Sequence, residues 1–330
     1  MDERTRNPPA TAVALPPLTR GGKREAASLH DKPLTPLVKG GRATAVAGGF
    51  SSSEEKKARA RRIRLQVEYD GTRYAGWQRQ AGLPTVQQEL EDALGKLMGV
   101  KRVIIHGASR TDAGVHAVGQ VAHFDCTVGI PAEKVAFALN TMLPEDIRIC
   151  ASVLADPDFH ARFQAKGKIY RYGIWNHRHA SALFRMQHTH IPTPLNLPLM
   201  RQEMQAMLGT HDFRAFEASG GLMTGKERTE RTVHNVSLEQ SGPCLYLMIY
   251  GNAFLYNMVR IFAGTLIDVG RGRIEPGAIA RALHSGDRLQ LGITAPANGL
   301  TLLRVFYGDP NDQDEADALF AHPKYSYKRI

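Results

Sequence analysis

Two successive stretches of the chain repeat one order of elements, β-α-β-β-α-β. That repetition predicts an α+β fold of two tandem ferredoxin-like (RRM-like) units whose sheets form a central cleft. Two observations carry the expectation. Each stretch opens on a strand-like alternation of apolar and polar residues, and each holds apolar stripes at helical spacing between its strands. The 330 residues also suffice for two modest domains with cores of their own. The implied boundaries are a basic, disordered N-terminal extension over 1–62, a first unit over 63–165, a second over 166–308 and a mixed-charge tail over 309–330.

In the first unit, residues 63–69 alternate as a strand. Thr85-Val86-Gln87-Gln88 has the spacing of a capping box, in which the Thr hydroxyl and the Gln side chain satisfy the free amides of a helix start. Val86, Leu90, Leu94, Leu97 and Met98 then form one helical stripe, and Gly99 stops it. Strands are expected at 102–106 and 117–125. A helix opening at Pro131, with Val135, Phe137 and Leu139 as its apolar residues, and a strand at 146–154 close the unit.

The second unit starts with a strand at 168–175 that alternates aromatic and polar residues. A helix over 198–208 carries Leu199, Met200, Met204, Met207 and Leu208, and Gly209 ends it. Strands at 231–239 and 244–250 flank Ser241-Gly242-Pro243 as a hairpin. A helix over 255–269 buries Leu255, Met258, Val259, Phe262, Leu266 and Val269. A short helix near 277–284 is extra to the repeat, and a strand at 300–307 completes it.

Composition excludes several classes. No run of about 18 apolar residues exists, so no membrane-spanning helix is expected. No apolar segment lies near the N-terminus, which argues against secretion, and Asp2, Glu3, Glu25 and Asp31 fit a mitochondrial transit peptide poorly. Cys126, Cys150 and Cys244 lie in apolar strand-like segments and read as buried thiols of a reducing compartment, here the cytoplasm. Residues 1–64 hold 14 Lys/Arg against 6 Asp/Glu, so they account for +8 of the net +10. The net charge is therefore weak evidence for a nucleic-acid site on the folded body, and the extension reads either as a non-essential segment or as a basic arm adding non-specific RNA affinity.

The stretch with the most chemistry is Ser109-Arg110-Thr111-Asp112-Ala113-Gly114-Val115-His116-Ala117. One carboxylate, Asp112, sits on a polar turn between two strand-like segments, where it is held rigidly yet stays reachable. A bare Asp-x-Gly turn is commonly only structural. Further segments accompany it: residues 69–80 (Tyr-Asp-Gly-Thr-Arg-Tyr-Ala-Gly-Trp-Gln-Arg-Gln), 158–163 (Asp-Phe-His-Ala-Arg-Phe), Tyr170-Arg171-Tyr172, Asn252-Ala253-Phe254, Met258-Val259-Arg260 and 294–300 (Thr-Ala-Pro-Ala-Asn-Gly-Leu).

In this order the set closely resembles the TruA family of tRNA pseudouridine synthases over roughly residues 63–307. The resemblance implies isomerisation of uridine to pseudouridine at positions 38, 39 and 40 of the tRNA anticodon stem-loop, with the target base flipped out. It implies a homodimer with one tRNA crossing both subunits. The reaction breaks the N1–C1′ bond and joins C5 to C1′ without redox change or group transfer, so no cofactor is required. Asp112 matches the family's catalytic aspartate, acting on the sugar as nucleophile or by stabilising positive charge there. Arg110 matches the arginine of the same motif, placed to orient Asp112 and keep it ionised, or to contact phosphate. Tyr170 matches the tyrosine that packs on the target base, with a phenol able to help remove the C5 proton. Arg260 matches the late-helix arginine, and on a mainly apolar helix it needs an anionic partner, Asp112 or a phosphate. Ile261 follows it where many relatives have Asn.

Arg79, Arg162, Lys166, Lys168 and Arg171 are candidate phosphate contacts, with Trp77 or Phe163 packing nearby, though each singly reads more simply as a solvated charge or a core aromatic. His116 and His160 read as scaffold. The run Gly220 to Lys226 is similar to a phosphate-binding loop, but Glu227 stands where Ser or Thr would bind Mg²⁺, so it reads as a flexible loop able to contact RNA. His177, His179, His188 and His190 form two H-x-H pairs with no Cys or acid to complete a metal set, and read as a polar loop. Two competing functions remain: a non-catalytic RNA-binding protein of tandem RRM-like units, for which no RNP-type aromatic motif is evident, and a nucleoside hydrolase, which would want a second carboxylate.

Overall fold

The structure, a computed structural model, describes residues 60–218 and 229–322. The extension expected over 1–62 thus lies, up to residue 59, outside the described residues, as does the Gly220 to Lys226 loop. No helix among the described residues is long and apolar enough to cross a membrane.

The fold is mixed α+β, with six helices and one large mixed sheet. Its first half contains β1 (Arg61–Tyr69), α1 (Val86–Met98), β2 (His106–Gly107), β3 (His116–Cys126), α2 (Val135–Asn140) and β4 (Ile147–Leu154). Its second half contains β5 (Gly167–Asn176), β6 (Thr189–Ile191), α3 (Leu197–Glu203), β7 (Gly209–Asp212), β8 (Glu230–Ser241), β9 (Cys244–Gly251), α4 (Met258–Gly270), α5 (Ala278–Ser285) and β10 (Leu300–Phe306). Last comes α6 (Asp312–Ala321).

The main strand path runs β4-β1-β3-β10-β5-β9-β8-β7, with β2 on β3 and β6 on β5. The expectation of units whose sheets form a central cleft is corrected in one respect, for the two sheets are one. The halves join edge to edge, because β3 leaves part of its edge free beyond the two-residue β2. There β10 pairs with it in parallel, Thr301 against His116 and Leu302 against Ala117. Gly119 serves this seam, since a Cβ there would lie 2.2 Å from the Leu303 carbonyl oxygen. In register, Leu302 stands between Ala117 of β3 and Tyr170 of β5. The seam therefore brings the Asp112 turn, just before β3, alongside the tyrosine strand.

Helix α1 starts and stops where its sequence dictates. Thr85 accepts a hydrogen bond from the Gln88 amide, and Gly99 takes a left-handed cap at φ 66°. Its residues Val86, Leu90 and Leu94 pack in the main core with Ile63, Leu65 and Val67 of β1. Tyr172 and Ile174 of β5, and Leu245, Leu247 and Ile249 of β9, continue that core in the second half under Met258 and Phe262 of α4. A smaller cluster forms from the alternate residues Ile169, Met248, Leu303 and Phe306, against Ala316 and Leu319 of α6. Period-2 alternation along β5 and β9 thus serves two faces.

Several expected elements differ in detail. The strand at 102–106 reduces to His106–Gly107: Val103 and Ile105 are buried and Ile104 is exposed, but alternation reports burial and does not itself supply a ladder partner. The helix near Pro131 begins as a 3-10 turn at Ala132–Lys134, and Phe137, expected inside, is 70% exposed. The helix expected from 255 starts at Met258, because Asn257 holds φ 61° and the right-handed spiral cannot pass through it. The helix expected over 198–208 tightens into a 3-10 turn at Met204–Met207. The stretch expected as a tail carries α6, whose first turn holds Asp312, Asp314 and Glu315, favourable beside a helix N-terminus. Cys126 and Cys244 are buried free thiols, and Cys150 is half-buried.

Candidate active site at the seam between the halves

A cleft of about 890 Å³ opens where the seam meets the Asp112 turn, and Arg110, Asp112, Arg162, Lys168, Tyr170 and Phe254 are among its walls. Its size is that of ordinary ligand sites. The turn itself follows from sequence: the Val115 amide donates to the Asp112 carbonyl at 3.1 Å, and Gly114 supplies the left-handed backbone at φ 80° that closes it.

The segment leading into the turn is clamped on three sides. Gln120 of β3, fully buried, accepts from the Ser109 amide at 3.2 Å and donates to the Ser109 carbonyl at 2.7 Å. Tyr69 of β1 shares a 2.8 Å hydrogen bond with the Thr111 hydroxyl. The Thr111 carbonyl accepts from the Trp77 amide at 3.0 Å. Asp112 thus sits on a backbone with little freedom.

Its partner is Arg260 of α4, whose Nη1 donates to Asp112 Oδ2 at 2.9 Å. The two side chains are 18% and 21% exposed, so the pair is screened from bulk water yet open to the cleft. The rest of the guanidinium is fixed: Nε donates to the Ala295 carbonyl at 2.8 Å, and Nη1 also donates to Asn257 Oδ1 at 2.7 Å. Asn257 is the one residue other than glycine at positive φ among the described residues, a costly backbone state that concentrates at functional sites. Among the described residues Asp112 Oδ1 accepts no hydrogen bond, and Asp112 lines the cleft.

Tyr170 of β5 is buried, 6% exposed, with its ring edge-on to Phe254 at 5.2 Å. Its hydroxyl shares a 2.8 Å hydrogen bond with Ser109. Burial, reinforced by the Asp112 charge, pushes its phenol up to about 12, so it is protonated at neutral pH.

The structure thus brings Asp112 and Tyr170 into one cleft, with Arg260 bound to Asp112. Arg110 lies in its wall, exposed, with no hydrogen bond or ion pair among the described residues. The arginine in contact with Asp112 is Arg260, not Arg110. Arg79 is spent elsewhere, on the buried Glu91 at 3.1 Å and on Asp92. Arg162 and Lys166 are exposed, and Arg171 lies over the Tyr246 ring. Trp77 is a core aromatic, whereas Phe163 is 77% exposed and stacks on His160.

The histidines behave as scaffold. His116 Nδ1 accepts from the Gly71 amide, and His160 Nδ1 accepts from the amides of Arg162 and Phe163. His190 Nε2 donates to the His177 carbonyl, while His188 is buried. No group of three or more His, Cys, Asp or Glu is placed to hold a metal among the described residues. Sequence reasoning missed Gln120, Tyr69 and Asn257. Only Asn257 left a signal, an αL-tolerant residue directly before an apolar helix.

Comparison with known proteins points to one family. The profile of the family described as tRNA pseudouridine synthase matches residues 65–164 and 204–308. The tRNA pseudouridine synthase A of Acetivibrio thermocellus is 47% identical over 247 residues, covering 75% of this chain and all of the relative. Those of Ruminiclostridium cellulolyticum and Bacillus subtilis are 45% and 42% identical, over 75% and 74% of this chain and 100% and 99% of theirs.

Proposed function

Because the chain belongs to the tRNA pseudouridine synthase family and so isomerises uridine to pseudouridine in tRNA, we propose that Asp112 is its catalytic carboxylate. The observation that carries the reading is the 2.9 Å contact between Asp112 and Arg260 at the wall of a cleft that also holds Tyr170. A uridine flipped out of its stem enters this cleft. Asp112, held anionic and aimed by Arg260, acts at C1′ as the N1–C1′ bond breaks. The base turns within the cleft, C5 bonds to C1′, C5 loses its proton and N1 gains one. Tyr170 packs on the uracil ring through this turn, and the unpaired Arg110 takes a backbone phosphate at the rim. No cofactor enters the scheme.

The substrate position follows the family resemblance: uridines 38 to 40 of the anticodon stem-loop, bound by a cytoplasmic homodimer. In fold, we read each half as a ferredoxin-like unit, 63–165 and 166–308. The strand orders β4-β1-β3-β2 and β10-β5-β9-β8 are one pattern used twice, which supports that reading.

The test is release of tritium from tRNA labelled at uridine C5, since the new C5–C1′ bond expels that hydrogen. Wild type releases it, and Asp112→Asn binds tRNA yet releases none. Tight binding with no release from either protein would replace the isomerase by a non-catalytic RNA-binding protein. Free uracil among the products would mark a hydrolase.

A further inference from the structure

Behind Tyr170 lies a polar chain that the scheme above leaves unused. Ser109 Oγ sits 2.8 Å from the Tyr170 hydroxyl, and Lys168 Nζ lies 3.5 Å from the same Ser109 Oγ. Lys168 is two residues before Tyr170 on β5, so both side chains leave the same face of the sheet. Its amine also donates to the Ala108 carbonyl at 3.0 Å, which anchors it beside the serine. Catalytic hydrogen bonds are often long in unliganded enzymes and shorten in the substrate complex, which is the behaviour the 3.5 Å gap calls for.

The charge environment is unusual for a lysine. Among the described residues no carboxylate pairs with it, and burial together with the nearby Arg162 and Arg231 lowers its ammonium to about 8. The other charged groups at this end of the cleft are Arg110, Glu217 and the Asp112–Arg260 pair. A fully protonated phenol, as Tyr170 is, cannot take up the C5 proton unless its own proton has somewhere to go.

We propose that Lys168 and Ser109 form a proton relay behind Tyr170 that drains the uridine C5 proton in the last step of the isomerisation. The C5 proton passes to the Tyr170 oxygen as the phenol proton moves to Ser109 Oγ and the serine proton to the neutral Lys168 amine. The C–H electron pair becomes the C5=C6 double bond. That displaces the C6=N1 pair onto N1, which takes a proton from water, and the ammonium returns its proton to solvent. Lys168 and Ser109 are positioning residues that act through Tyr170, and the inference rests on the reading of Tyr170 as the residue against the target base.

The experiment is single-turnover tritium release from full-length protein and unmodified tRNA labelled at uridine C5, measured from pH 6 to 9, beside tRNA deuterated at C5. Wild type speeds up with pH as the amine deprotonates. Lys168→Met and Lys168→Arg both lose that dependence, both slow by about a hundredfold, and both retain tRNA affinity. Arginine keeps a cation for phosphate but cannot accept a proton, so its failure to rescue separates a relay from an RNA contact. Ser109→Ala slows release and enlarges the C5 isotope effect. Wild-type speed in Lys168→Arg, or an unchanged pH profile and isotope effect in Lys168→Met, overturns the relay. Tyr170→Phe tests the underlying reading: full activity there removes Tyr170 from the base, whereas a slow Tyr170→Phe beside an unaltered Lys168→Met removes the relay alone.

Discussion

Arg260 shows how much one side chain can organise. Its guanidinium reaches Asp112, Asn257 and the Ala295 carbonyl together, a fork that a lysine ammonium cannot reproduce. Arg260→Lys keeps the charge but loses the fixed geometry. The expected result is a kcat lowered about tenfold to a hundredfold with little change in tRNA affinity, matching loss of a charge-assisted hydrogen bond of about 1.5–3 kcal/mol. Single-turnover kinetics beside a binding assay checks it, and a change confined to affinity would place Arg260 on a phosphate instead.

Elements here depend on buried polar caps as much as on apolar stripes. Helix α5 begins at Gly277, which offers no side-chain cap. Its free amides are met from outside by Glu203, at the end of α3, which accepts from Gly277 at 2.6 Å and Ile279 at 2.8 Å. Glu203 is 5% exposed, so its removal strands two donors away from water. Glu203→Ala is expected to cost about 1–3 kcal/mol, read as a lower midpoint in urea with the slope unchanged, and to leave the catalytic rate of the folded enzyme intact. Position in the sequence hides this contact, since 74 residues separate the two ends. The Thr85 cap and the Gly99 stop of α1 were legible because both lie within one turn of the helix that they bound.

For the molecule as a whole, acid is the expected weakness. Each half buries an imidazole, His123 in the first and His188 in the second. Burial, with His160, His106 and Arg62 alongside, lowers His123 to about 4. Burial and Arg171 do the same to His188, whose two ring nitrogens have no hydrogen-bond partner among the described residues. Asp125 opposes the shift at His123 only weakly. Between pH 6.5 and 4 the unfolded chain therefore takes up protons that the folded chain refuses, so stability falls as pH falls through that window. The loss is on the order of a few kcal/mol for the two sites. Thermal unfolding should show a lower Tm at pH 5 than at pH 7, and His188→Phe should shrink the difference. An equal drop in that variant would move the acid sensitivity away from His188.

The sequence by itself determined most strands and helices of the two halves, the ends of α1, the turn that carries Asp112 and the family to which the chain belongs. These depend on contacts within a few residues, or on motifs that survive as strings of letters. Only the tertiary structure decided that the halves share one sheet through β3 and β10, that Arg260 and not Arg110 holds Asp112, and that Lys168 and Ser109 stand in line behind Tyr170. It also decided that residues after 311 form α6 and cover the second face of the sheet. The reason is common to all four. Asp112 and Arg260 are 148 residues apart, and nothing local distinguishes an arginine that will meet a carboxylate across a seam from one that will meet water. Periodicity tells which side chains turn inward, while pairing is settled by which backbone edges remain free once the strands have met.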